Sequence, residues 1–404
     1  MAEPAMAAAA PQALARVVLG VTGGIAAYKA AELARLFVKA GVAVDVAMTD
    51  AATHFVSPMT FQALTGRAVA TDLWRSGASN AMDHIELSRG ADAIVVAPAS
   101  ADFLAKLAHG HADDLLSTLC LARECPLLVA PAMNVQMWGN AATRRNVEQL
   151  VADGIAILGP GAGEQACGEF GDGRMLEAQE IYDAVVASRV AKVLAGRRVL
   201  VTAGPTFEAI DPVRGITNAS SGKMGFAVAR AAAEAGADVT LVAGPTSLAT
   251  PAGVDRIDVV SAAEMADAVL ARAGGHDVFV AVAAVADYRP VEVHERKVKK
   301  RDAPMSIALE PTVDILATVA ARADAPFCVG FAAESHDVVR HGEEKRKRKK
   351  LALLVANRAQ DALGADHNEV TILDDAGAHA LPRMDKLALA RRLVAEIAAR
   401  LTPR

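Results

Sequence analysis

The sequence predicts an α/β fold: two doubly wound, mostly parallel-sheet Rossmann-like domains in tandem. Three observations predict it. Short valine-rich apolar runs alternate with helical stretches along the chain, the pattern of strands covered on both faces by crossover helices. The order strand, Gly-rich turn, helix, Gly, strand occurs twice, once from Arg16 and once from Arg198. The length, 404 residues, suits two domains at ~100–200 residues each.

In the first half, Arg16-Val-Val-Leu-Gly-Val21 reads as a buried strand, Thr22-Gly-Gly-Ile25 as a tight turn, and 26–40 as a helix closed by Gly41. A β-branched strand follows over 42–47, with further candidates at 93–97, 127–130 and 155–158. In the second half the strand 198–202 leads to a loop ending in Ser220-Ser-Gly-Lys-Met-Gly225, then a helix over 226–235, Gly236 and the strand 237–242. More strands are expected at 278–283, 327–330, 351–356 and 369–373. The boundary falls near 187–196, where a helix ends and a new sheet begins, giving domains 15–190 and 191–404. The alanine-rich residues 1–14 carry Glu3 rather than a basic leader and run straight into the strand at Val17. They read as a disordered tail, not a signal peptide.

Composition narrows the function. A net charge of −5 argues against a protein that lives on phosphate backbones, and 4% aromatic residues against base stacking. No apolar run approaches the ~20 residues of a spanning helix. Four cysteines at irregular spacing (Cys120, Cys125, Cys167, Cys328) make neither a disulfide framework nor a zinc ribbon. The expectation is a cytoplasmic enzyme of small molecules, with no nucleic-acid or membrane partner.

In doubly wound sheets ligands bind at the carboxyl ends of strands and at helix N-termini. Both Gly-rich turns are therefore phosphate-site candidates, although neither is the dinucleotide fingerprint G-x-G-x-x-G, and a ligand-free tight turn is the plain alternative. Asp83-His84-Ile-Glu sets a histidine among acids at an expected helix start, and Pro131-Ala-Met-Asn134 follows a strand directly. Cys167 sits among glycines and charges, where an accessible thiol would be, rather than among apolar neighbours. Ser220 to Gly225 lacks the Walker A spacing, and Glu343-Glu-Lys-Arg-Lys-Arg-Lys-Lys350 is either a solvated helix face or a polyanion site.

The ordered set Gly23-Gly-Ile-Ala-Ala-Tyr-Lys29, His84-Ile-Glu-Leu87, Ala97-Pro-Ala-Ser-Ala101, Ala112-Asp-Asp-Leu-Leu-Ser117, Pro131-Ala-Met-Asn134 and Ala166-Cys-Gly168 resembles the flavin-dependent phosphopantothenoylcysteine decarboxylases. The second half resembles phosphopantothenate–cysteine ligase. Together they resemble the bacterial bifunctional enzymes of coenzyme A biosynthesis, over roughly Arg16 to Arg400.

For the first half the resemblance implies FMN and a redox-neutral decarboxylation. A carboxylate beside an amide nitrogen has no electron sink until the neighbouring thiol is oxidised, and the flavin carries those electrons. His84 matches the family's active-site histidine, the acid–base or electrostatic partner. Asn134 would hold the substrate carboxylate, and Cys167 would return a proton as a thiol of ordinary pKa, ~8.5. Arg89, Met137 and Gly171 match positions near the substrate. Gly23, Gly24 and Ile25 would wrap the flavin's phosphate end, with Thr49, Ser100, Ala101, Asp102, Phe103 and Ala132 around the cofactor. Asp102 stands where many members carry Asn.

For the second half the resemblance implies CTP as co-substrate, with Mg2+ carried mainly by its phosphates, and an acyl-cytidylate that cysteine's amine displaces. Asn218 matches the asparagine that handles this intermediate, Arg214 the arginine of the same loop, and Lys297 the lysine needed to form it. Asp287 matches a nucleotide contact, and Lys345 and Lys349 the nucleotide-binding lysines. Phe331 would lie beside the cytosine, and Val313, Asp314, Ile315 and Leu316 form a further substrate segment. Thr-Val-Asp replaces the common Asn-Pro-Asp there, and Gly215 stands where an aromatic is frequent. The resemblance also implies trimers of the first half joined by dimers of the second, a dodecamer. A nicotinamide-dependent oxidoreductase with two Rossmann-like domains is the competing reading, disfavoured by the absent G-x-G-x-x-G. A non-catalytic flavoprotein that binds a protein partner is another, disfavoured by the intact Cys167 motif and the attached second half.

Overall fold

A computed structural model describes residues 14–73, 87–165, 168–299, 305–362 and 364–401. The described chain divides into two compact units, one up to Arg189 and one from Val190 on.

The first unit is built on a six-stranded sheet of β1 (Arg16–Val21), β2 (Ala43–Met48), β3 (Val69–Ala70), β4 (Ala93–Ala99), β5 (Leu127–Pro131) and β6 (Ala156–Ile157), in the order β3-β2-β1-β4-β5-β6. All neighbours are parallel. Continuous apolarity in β1 reflects burial on both faces. Val17, Leu19 and Val21 enter one core with Leu33 and Phe37 of helix Ala27–Lys39, while Val18 enters the other with Phe103 and Leu116. A glycine-dense hairpin, β7 (Gly161–Glu164) and β8 (Phe170–Arg174), stands apart from the sheet.

The second unit carries β9 (Arg198–Ala203), the short pair β10 (Phe207–Ala209) and β11 (Gly215–Thr217), β12 (Asp238–Ala243), β13 (Val254–Asp258) and β14 (Val278–Ala281). β15 (Tyr288–Pro290), β16 (Leu309–Pro311), β17 (Phe327–Glu334), β18 (Leu353–Arg358), β19 (His367–Asp374) and β20 (Gly377–Asp385) follow. Eight of them form a sheet in the order β13-β12-β9-β14-β17-β18-β19-β20. It is parallel as far as β18 and antiparallel for the last two pairings. β9 repeats the two-faced burial, with Val199 and Val201 in one core and Leu200 in the other.

The helix expected over 226–235 begins three residues earlier, at Lys223. Gly225 is helical, not loop. A Cβ there would come within 2.5 Å of Ala203 Cβ, so the glycine lets the helix lie close on β9. Strand β13 and the β20 edge go unmarked in the sequence reading, because β13 is half-polar and β20 largely exposed. Among the described residues no helix is long and apolar enough to cross a membrane.

Candidate functional site

In each unit the strand order reverses beside its first strand, between β1 and β4 and between β9 and β14, where doubly wound sheets open a crevice at their carboxyl ends. In the first unit Thr22, just past β1, ties the two strands together: its N–H and hydroxyl both donate to Pro98 O, at 3.3 and 2.8 Å. Ser100 N donates back to Thr22 Oγ1 at 2.9 Å, and Ser100 Oγ accepts from Phe103 N at 3.2 Å, capping helix Ala101–His109. Thr49 likewise caps Asp50–Thr53 at the end of β2.

The two glycines of the first turn differ. A Cβ on Gly23 would lie 2.6 Å from Ala51 Cβ, so Gly23 is there for backbone packing; around a Cβ on Gly24 there is nothing within 4 Å. Beside this open side Ile25 is 66% exposed. An open glycine, a capped helix start and an exposed apolar side chain at a switch point fit a phosphate-bearing flavin. Asp102 is exposed, whereas Phe103 is buried in the core, so only its backbone faces the turn. Ala132 N donates to Ala99 O at 3.1 Å, holding the end of β5 beside Ser100.

Asn134 opens the short helix Val135–Gly139, its Oδ1 accepting from Gln136 N at 2.9 Å. Its side-chain NH2 donates to the Glu169 carboxylate, which also accepts from Gln136 Nε2 at 2.9 Å. Gln165 accepts from Val135 N at 3.0 Å. The loop that carries position 167 is thus fastened at both ends to the Asn134 turn. Gly171 and Gly173 permit the approach: a Cβ would lie 2.7 Å from Val135 Cγ2 at the first and 2.3 Å from Met133 O at the second. Met137 is 49% exposed nearby, and Arg89 is exposed, its carbonyl accepting from Arg16 Nη1 at 2.7 Å. His84 and Cys167 lie outside the described residues. Burial pushes the thiols of Cys120 and Cys328 up to about 12 and about 11, which makes both packing residues, not nucleophiles.

In the second unit a cavity of about 550 Å³ opens at the β9/β14 switch point, within the usual size of small-molecule sites. Asn218, Asp287, Val313, Asp314, Ile315, Leu316, Phe331, Lys345 and Lys349 all line it. Asn218 Nδ2 donates to Ala284 O at 2.9 Å. Lys345, from helix Val338–Arg348, donates to Phe331 O at 3.3 Å. Burial, reinforced by the neighbouring Lys349 charge, pulls Lys345 below the ordinary lysine range. Lys349 pairs with Asp314 at 2.7 Å. Burial works to raise the Asp314 carboxyl, but hydrogen bonds from Lys349 and Ala317 N hold it below its ordinary value.

Two more lysines line the cavity, Lys223 within the candidate phosphate loop Ser220–Gly225 and Lys386, which no sequence motif marked. Lys223 follows the Ser220–Ser221–Gly222 turn and pairs with Asp366 at 2.6 Å; Lys386 starts the C-terminal helix. Burial, with the Lys223 charge, lowers Lys386. Lys386 lies 163 residues beyond Lys223 (386 − 223), so only the antiparallel return of β19 and β20 brings it here. Buried Asn357 and Asn368 also line the wall.

Arg214 and Lys297 are not on the cavity wall. Asp211, buried, takes the Arg214 guanidinium, which also donates to Val298 O at 2.6 Å, while Val298 N donates to Asp211 Oδ2 at 3.1 Å. Arg214 therefore fastens the segment that bears the exposed Lys297.

Fold and sites together define a two-unit α/β protein with a flavin-type turn in one unit and a lysine-lined anion cavity in the other. Two family models match, one described as Flavoprotein over residues 8–190 and one as DNA/pantothenate metabolism flavoprotein C-terminal domain over 194–401. A Vibrio cholerae protein named Coenzyme A biosynthesis bifunctional protein CoaBC is 50% identical over 381 residues, 93% of this chain and 96% of its own. Among solved structures, the C-terminal domain of a Coenzyme A biosynthesis bifunctional protein CoaBC is 41% identical, covering 52% of this chain and 97% of its own, with a TM-score of 0.45. A PPC decarboxylase mutant complexed with pantothenoylaminoethenethiol is 35% identical, covering 43% of this chain and 97% of its own, with a TM-score of 0.39. The chain belongs to the CoaBC family of bifunctional coenzyme A biosynthesis proteins, enzymes with decarboxylase and ligase activities. That removes the nicotinamide oxidoreductase reading.

Proposed function

We propose that the unit from Val190 on joins cysteine to 4′-phosphopantothenate, using CTP with Mg2+ through an acyl-cytidylate, and that the unit up to Arg189 decarboxylates the product to 4′-phosphopantetheine with FMN. The observation that carries the first step is the cavity: four lysines, Lys223, Lys345, Lys349 and Lys386, converge where a triphosphate and a second phosphate must be gathered. Lysines suit phosphates as point charges. Asn218 orients the acyl-cytidylate, Phe331 packs beside the base, and Lys297, carried on the segment that Arg214 fastens, serves formation of the intermediate. Asp287 contacts the nucleotide, and the segment Val313 to Leu316 the substrate.

In the first unit Gly23, Gly24, Ile25, Thr49, Ser100 and Ala132 hold the flavin. When bound, it supplies the transient electron sink that allows a carboxylate to leave from beside a thiol-bearing carbon. Asn134 orients that carboxylate, His84 serves as acid–base or electrostatic partner, and Cys167 returns the proton. Family resemblance supports a cytoplasmic dodecamer.

The test separates the halves. The purified chain should be yellow, form CMP in a cysteine-dependent reaction and release CO2. CTP should outperform ATP in ligation. His84→Asn should abolish decarboxylation and leave ligation intact; loss of both together would refute independent sites. Cys167→Ser should stall before normal product, and wild-type turnover by it would refute the proton-donor role.

A further inference from the structure

β17 ends in Glu334, and Ser335, His336 and Asp337 lead into helix Val338–Arg348, where His341 lies one turn along. These side chains are not on the wall of the cavity described above. His336, Asp337 and His341 each offer one ligating atom, and the three atoms lie within 4.8 Å of one another. The two rings meet edge to face, centroids 4.9 Å apart.

A cation already sits among them. Arg340 Nη2 is 2.9 Å from Asp337 Oδ2 and 3.0 Å from His341 Nε2. A guanidinium can only donate, so His341 Nε2 is the acceptor and its lone pair faces the same point as the carboxylate. Of the remaining ring nitrogens, His336 Nδ1 is oriented by Ser335 Oγ at 2.9 Å, while the Glu334 carboxylate lies 3.9 Å from His341 Nδ1, beyond hydrogen-bond reach. Metal-bound histidines are usually oriented as His336 is.

We propose that His336, Asp337 and His341 form a site for one divalent transition-metal ion, with Arg340 as the internal cation that the metal displaces. Two imidazoles and one carboxylate suit Zn2+, Ni2+ or Co2+, whereas Mg2+ takes oxygen ligands. Ligands on such an ion stand about 3.4 Å apart at bond lengths of about 2.0–2.1 Å. Binding therefore requires the side chains to rotate inward from the present spacing of up to 4.8 Å. The site is therefore distinct in chemistry from any Mg2+ that accompanies a nucleotide.

The test is calorimetric titration of Ni2+ into the full-length chain without a histidine tag. The wild type should take up one Ni2+ that the His336→Ala/His341→Ala double variant binds at least about tenfold more weakly. Arg340→Gln should bind the same ion about tenfold more tightly, because its competitor is gone. That gain cannot come from misfolding, and thermal midpoints of both variants should match the wild type, since the replaced side chains are exposed or half-buried. Equal Ni2+ uptake by wild type and double variant, or no tightening in Arg340→Gln, would overturn the proposal.

Discussion

The Glu169 carboxylate accepts a hydrogen bond from the side-chain amide of Asn134. The amide assigned to a substrate carboxylate thus already holds a carboxylate, supplied by the loop that carries position 167. Asn134→Asp changes little in size but sets two like charges together and removes the donor. Decarboxylation should fall at least about 100-fold, the scale of losing one positioned contact, while ligation stays unchanged. Adding Glu169→Gln should recover part of the loss by supplying a donor to the new carboxylate. Decarboxylation within about threefold of wild type in Asn134→Asp, by a CO2-release assay, would remove Asn134 from the site.

The adjacent glycines of the first turn differ in what an added side chain would meet. Gly23→Ala drives a Cβ to 2.6 Å from Ala51 Cβ and should destabilise the unit by about 1–3 kcal/mol. Gly24→Ala meets no protein atom within 4 Å and should leave the thermal midpoint in place. If the open side of Gly24 faces the flavin, this second variant should purify with flavin absorbance reduced several-fold. Full flavin content in a stable Gly24→Ala protein would move the phosphate end elsewhere.

The strands were legible where burial is two-sided. Val17 to Val21 and Val199 to Ala203 announce themselves because every position is apolar or small, with Thr202 the one hydroxyl among them. β13 and β20 were not, because they lie at sheet edges and alternate with polar residues. Nine of the expected ligase residues meet at one cavity although they come from different elements: Phe331 from within β17, Lys345 from the helix after it, and Asp314 from the turn before the helix Ile315–Ala320. Arg214 is different: a local motif can mark a residue without saying that a buried acid, Asp211, will claim its charge. Lys386 left no local trace, since only tertiary structure carries it to the cavity.

The Asp211–Arg214 pair should govern Lys297 from a distance. Asp211→Asn keeps the shape but surrenders the charge that draws the Arg214 guanidinium and the three backbone N–H groups of Val213, Arg214 and Val298. Ligation kcat should fall about tenfold or more, with flavin content and decarboxylation unchanged. The pH sign follows from the carboxyl, which the Arg214 hydrogen bonds hold far below its usual value. A depressed folded pKa contributes stability that is present above the unfolded value of ~3.9 and disappears as pH falls through the folded one. The wild-type thermal midpoint should therefore drop more steeply than that of Asp211→Asn on acidification below about pH 4. Parallel curves would show that the pair carries no folding linkage.

Lys345 gives the opposite sign. Burial, then the Lys349 charge, lower its pKa, so its protonated form costs stability below the folded value. That cost is relieved as pH rises toward the ordinary ~10.4 of a free lysine. A bound triphosphate supplies the missing counter-charge and should raise the pKa again. Nucleotide binding should then take up a proton in the alkaline range below ~10.4, measurable as a buffer-dependent heat in calorimetry. Lys345→Ala should abolish that uptake and weaken CTP by about 10–100-fold, the worth of one charge-assisted hydrogen bond at about 1.5–3 kcal/mol. Because it removes a buried charge, the same variant should unfold at a temperature no lower than wild type when no nucleotide is present. If the proton uptake survives in Lys345→Ala, another of the cavity lysines is the group that titrates.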